Sequence, residues 1–110
     1  MTPGRKYKAP RHLAPPTRRW VEQIAGDYVL ESHHLRLLLL AGESWDRVTQ
    51  ARETVKAEGL TIDGRFGKKL HPAVLVEKDN KVLFARLLRE LGLDSETPDE
   101  ARPPRVRGGH

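Results

Sequence analysis

The chain has no cysteine, so its histidines and carboxylates are the side chains to test first for metal binding and acid–base chemistry. His33 and His34 are adjacent and would point about 100° apart on a helix. Together with His71 they match neither H-x-x-x-H nor H-E-x-x-H spacing, so we read them as histidines near helix starts. Glu43/Asp46 and Glu77/Asp79 are close enough in sequence for two-carboxylate chemistry. They lie in Lys/Arg-rich helical segments without a supporting motif, which points to solvated faces. Gly59 to Gly64 gives G-x-x-x-x-G, but Arg65 and Phe66 follow where a phosphate-binding loop needs Lys and Ser/Thr. No serine sits in G-x-S-x-G. The expectation is a chain with no catalytic residue, no metal site and no cofactor, and hence not an enzyme.

The basic residues form a clearer pattern. Net charge is +5, and residues 1–20 hold Arg5, Lys6, Lys8, Arg11, Arg18 and Arg19 with no acid. Positive charge concentrated at one end is characteristic of arms that contact polyanions, although it also suits a solvated tail. A second basic element is the turn Gly64–Lys69, carrying Arg65, Lys68 and Lys69. Flexible cations of this kind reach phosphates. Phe66 within it is expected to plug the helical core, the other reading being contact with a sugar or base.

The elements that must position these residues are mostly helical. At 110 residues the chain makes one domain with a modest core. Residues 1–13, with Pro3, Gly4 and Pro10, read as a flexible basic arm. Pro15 and Pro16 suit the first turn of a short helix whose stripe is Trp20, Val21, Ile24, Ala25 and Tyr28. Ser32 is the expected N-cap of a long helix ending at Gly59, with Leu38, Ala41, Trp45, Val48 and Val55 on one stripe. Gly59-Leu60 and Gly92-Leu93 both read as left-handed stops, with the leucine folding back onto Val55 or Leu88. About 26 residues at about 1.5 Å each give a helix near 39 Å long, which must protrude or be covered by another chain.

Asp63-Gly64 signals a tight turn, giving a small hairpin or ordered loop over 60–70. Pro72 opens a third helix with Val76, Leu83, Phe84, Leu87, Leu88 and Leu91, packed against the long one. Residues 94–110 read as a disordered tail, leaving 14–93 as the helical domain. Trp20, Leu38, Trp45, Val48, Leu83 and Leu87 are the expected core or subunit-interface anchors. The run Leu37–Leu40 points in too many directions for one partner face, and self-association would cover it. The longest apolar run, Leu37–Ala41, is too short to span a membrane.

Several segments in order resemble the small subunit of phage terminases. They are Pro10-Arg11-His12-Leu13, Arg18-Arg19-Trp20, the stretch HLRLLLLAGESWDR from His34 to Arg47, Gly59-Leu60, His71-Pro72-Ala73 and Leu87 to Leu93. Ala14 departs from the pattern, since that family often has a polar capping residue before the proline. The resemblance implies a mostly helical protein that assembles into a ring-like homo-oligomer, binds double-stranded viral DNA and hands it to the terminase large subunit. That partner carries the ATPase and nuclease, and the setting is the cytoplasm of the bacterial host. The basic arm, Arg18/Arg19 and the Arg65/Lys68/Lys69 turn would be the DNA contacts. The alternative is a small dimeric helix-turn-helix DNA-binding regulator. Its recognition helix would then begin His33, His34, Arg36 and continue into leucines, which is poor chemistry for reading bases.

Overall fold

A 27-residue helix organises the chain. In the computed structural model, which describes residues 7–93, α1 (Pro15–Asp27) leads into this long α2 (Ser32–Glu58). An antiparallel hairpin follows, β1 (Thr61–Gly64) and β2 (Gly67–Leu70), and then α3 (Pro72–Glu90). The architecture is mainly α, with α1 and α3 both packed on α2. The assigned tail, 94–110, lies outside the described residues.

The buried face of α2 is Leu38, Ala41, Gly42, Ser44, Asp46, Val48 and Ala51. Four of these are small, so neighbouring helices come close. At Gly42 an added Cβ would lie 3.1 Å from Thr17 Cγ2 and 3.2 Å from Val21 Cγ2. A side chain there would push α1 away. Leu38, Val21, Val48 and Leu91 are the largest fully buried residues. Each contributes about 1.5–3 kcal/mol through removal from water.

The leucine run is covered mostly from within. Leu38 is fully buried, and Leu37 and Leu39 pack against the cluster of Ala9, Leu13, Val21, Leu38 and Leu91. Only Leu40 stays exposed, so the run does not require another chain. Trp45, placed in the apolar stripe by sequence, is 41% exposed at the edge of the packed face.

Residues 7–13 depart from the flexible arm assigned to 1–13. Ala9 and Leu13 belong to the core cluster, and three carboxylates hold the segment and the adjoining Ala14 to the helices. Glu22 accepts from the Ala9 amide at 2.9 Å, Glu43 meets His12 Nε2 at 2.7 Å, and Asp46 accepts from the Ala14 amide at 2.8 Å. Burial first, and then the nearby Glu22 charge, raise the pKa of the Tyr7 phenol.

Helix ends show where local signals win. At the end of α3, Gly92 has φ 76°, its amide donates to Arg89 O, and the Leu93 amide donates to Leu88 O at 2.8 Å. This is the complete Schellman ending expected there. At the end of α2 the same dipeptide behaves differently. Gly59 has φ 93° but an extended ψ of 168°, and Leu60 is 63% exposed rather than folded onto Val55. The chain must continue straight into β1, and the Leu60 carbonyl accepts from the His71 amide at 2.7 Å.

The N-cap of α2 is Glu31, one residue before the expected Ser32. Its amide donates to His34 Nδ1 at 3.2 Å, a back-bond that uses the third helical residue. His71 caps α3: its Nδ1 accepts from the Ala73 amide at 3.0 Å, and Nε2 meets Glu58 Oε1 at 2.7 Å.

The hairpin turn falls two residues later than the Asp63-Gly64 signal. Thr61 pairs with Leu70, Ile62 with Lys69, Asp63 with Lys68 and Gly64 with Gly67, leaving Arg65 and Phe66 at the tip. Two glycines fix that position. A Cβ on Gly64 would stand 2.9 Å from the Gly67 carbonyl oxygen, and Gly67 takes φ 119°.

Candidate nucleic-acid interface

The candidate phosphate contacts fall into two groups. The first surrounds the start of α1. Lys8, Arg11 and Arg19 are exposed and Arg18 is half-buried. None of the four forms an ion pair among the described residues. Arg5 and Lys6 lie outside the described residues. The first turn of α1 carries no acid of its own, but the Asp46 carboxylate from α2 sits there, bonded to Ala14 and Thr17. That carboxylate occupies the place where a helix N-terminus would hold a phosphate. Anions are therefore left to the Arg18 and Arg19 side chains.

The second group is the hairpin. Arg65, Lys68 and Lys69 are all exposed. Lys68 pairs with Asp63 across the strands at 3.2 Å, a solvent-facing contact of little strength. Lys69 lays its aliphatic stem over Gly64, with Cδ only 3.1 Å from where a Cβ would be. Arg65 and Lys69 have no acidic partner among the described residues. Phe66 does not plug the core: it is 95% exposed, and among the described residues its ring meets only the Arg65 guanidinium, 5.6 Å from the centroid. A two-residue tip faces away from both strands, which is why the core cannot reach it.

The two groups sit at different heights on α2. From Asp46, beside the start of α1, to Glu58, where the hairpin departs, is 12 residues, or roughly 18 Å along the axis. A duplex covers that distance in about five base-pair steps.

Between the helices lies an apolar recess of about 300 Å³ lined by Pro16, Thr17, Trp20, Trp45 and Phe84. The Phe84 ring stands 5.8 Å from Trp20 and 5.1 Å from Trp45, centroid to centroid, and joins all three helices. Of the other expected anchors, Leu38, Val48 and Leu87 are buried and Leu83 is half-buried. On α3, Leu75 and Val82 are exposed, and so is Val76, expected on the apolar stripe but 41% exposed at its edge.

Three of the four carboxylates considered for acid–base work have structural partners, and the exposed Asp79 has none among the described residues. Glu43 and Asp46 hold the N-terminal segment, and Glu77 bridges Arg52 at 3.3 Å and Lys81 at 2.8 Å. The hydrogen bond from Lys81 holds the Glu77 carboxyl below its ordinary range, with Arg52 helping and desolvation opposing. Among the described residues no three His, Cys, Asp or Glu side chains gather into a metal-holding group. No helix there is long and apolar enough to cross a membrane. Sequence reasoning missed Asp46 as the partner of Thr17, since only the folded chain brings residues 29 apart into contact. Comparison with protein-family models, curated proteins and solved structures finds no match for this chain.

Proposed function

We propose that this chain is a non-enzymatic DNA-binding adaptor of the phage terminase small-subunit kind. In this reading it self-associates into a ring-like homo-oligomer and engages double-stranded viral DNA. It then presents that DNA to the large subunit, which supplies the ATPase and nuclease. The observation that carries the reading is the grouping of Lys8, Arg11 and Arg19 at the start of α1 and of Arg65 and Lys69 on the hairpin, all exposed and, like several cations elsewhere on the surface, without an acidic partner among the described residues. Desolvating unpaired cations against protein is costly, whereas a phosphate backbone pairs them and releases its counterions. The ordered sequence resemblance and the mainly helical fold agree with it. The exposed Trp45, Leu75, Val76 and Val82 offer apolar surface for self-association.

The test is binding of a 30-base-pair duplex by fluorescence anisotropy across a range of salt, with the solution mass measured by light scattering. The expected result is a discrete multi-subunit species whose log affinity falls with log salt by about 0.9 per phosphate neutralised. No binding at low salt would sink the adaptor reading. A dimer that binds one sequence with a weak salt dependence would favour the regulator instead.

A further inference from the structure

We propose that the β1–β2 hairpin is a DNA-distorting element that lays its cations on the phosphates and inserts the Phe66 ring at a base-pair step. The proposal rests on the adaptor reading and adds to it a source of sequence preference. A phenyl ring that is 95% exposed and meets one neighbouring guanidinium contributes nothing to packing among the described residues. It sits at the tip of a two-stranded ribbon, and a two-stranded ribbon fits a DNA groove. Apolar side chains placed in this way unstack a step and kink the duplex.

Charge decides between DNA and a protein partner. Arg65 beside the ring and Lys69 on β2 have no acidic partner among the described residues, and Lys68 has only the exposed Asp63. Seating the tip in an apolar hole on another protein, such as the Pro16/Trp20/Trp45/Phe84 recess of a second copy, would strip water from these cations and leave them unpaired. Phosphates on either side of an opened step would pair them. The glycines fix the presentation: Gly64 admits the Lys69 stem, and Gly67 turns the chain sharply after Phe66. Pyrimidine–purine steps open most easily, so the wedge reads deformability rather than base edges.

Two duplexes of equal length test this, alternating (dT-dA) and an A-tract dA·dT, each with one 2-aminopurine to report unstacking. Wild type is expected to bind the alternating duplex roughly ten-fold tighter, as loss of one stacked ring implies, and to raise its fluorescence. Phe66→Ala should remove both the preference and the fluorescence rise. Its salt slope should stay unchanged, as should its melting temperature. Replacing Arg65, Lys68 and Lys69 with Ala should instead flatten the salt slope. If Phe66→Ala keeps the preference and the signal, the wedge is overturned while the adaptor reading stands. If Phe66→Ala leaves duplex choice alone but breaks the oligomer into smaller species, the tip docks on protein and the proposal is likewise overturned. If wild type binds neither duplex at low salt, both readings fall.

Discussion

Asp46, buried on α2, closes the start of α1 by accepting the Thr17 hydroxyl at 2.6 Å on one carboxylate oxygen and the Ala14 amide at 2.8 Å on the other. Ala14 has no polar side-chain atom to cap its own helix, and Pro15 and Pro16 have no amide N–H to satisfy. The cap is thus supplied by a different helix, which makes it a tertiary contact as well as a local one.

Asp46→Ala leaves a buried hydroxyl and an amide without an acceptor, and should lower unfolding free energy by about 2–3 kcal/mol. Asp46→Asn keeps one acceptor and should lose about half of that. Urea denaturation with an unchanged m-value measures both, and an alanine variant within about 0.5 kcal/mol of wild type would contradict the assignment.

His71 accepts from the Ala73 amide on Nδ1, which places the ring proton on Nε2, facing Glu58. His71→Ala should cost about 1 kcal/mol, the usual loss of an N-cap, and His71→Asn should restore most of it. Faster hydrogen exchange at the Ala73 amide in the alanine variant alone would locate the effect.

Glu77 titrates below its ordinary range because of the hydrogen bond from Lys81, with Arg52 adding to it. A carboxyl depressed in the folded state stabilises it above the unfolded pKa, and that contribution disappears as pH falls through the folded value. Glu77→Gln should therefore melt below wild type at pH 7, with the gap closing on acidification below about pH 4.5. A gap that is constant from pH 7 to pH 3 would remove the ionic contribution.

Trp45 is two-fifths exposed and faces Phe84 across the recess. Under the proposed assembly, Trp45→Asp places a charge where another copy would pack, and the solution mass should drop to a smaller species while helical circular dichroism persists. Unchanged mass would take Trp45 out of the interface.

Much of the fold was legible because its signals are local. Periodicity placed three helices and their order, Pro15/Pro16 and Pro72 marked two starts, and Gly92-Leu93 marked a stop that holds hydrogen bond for hydrogen bond. The identical dipeptide at Gly59-Leu60 misled, since a Schellman ending also needs the next residue free to fold back. Here Leu60 is held by His71 instead.

The docking of residues 7–13 was illegible for a different reason. Its hydrogen bonds, with that of the adjoining Ala14, reach Glu22, Glu43 and Asp46, between 13 and 32 residues away, and no periodicity encodes such pairings. Phe66 was misplaced because composition says that a phenyl ring seeks the core. Only the two-residue register shift of the turn put it at the tip.

The bond from the His71 amide to the Leu60 carbonyl gives the ten residues between them the character of an exchangeable cassette. The two ends already meet, so a graft of another length need only span a gap that the helices hold fixed, and lengthening it adds little closure entropy. Related chains can therefore diversify this segment almost independently of the helical body. One scaffold can then carry different tips with little change in its own stability.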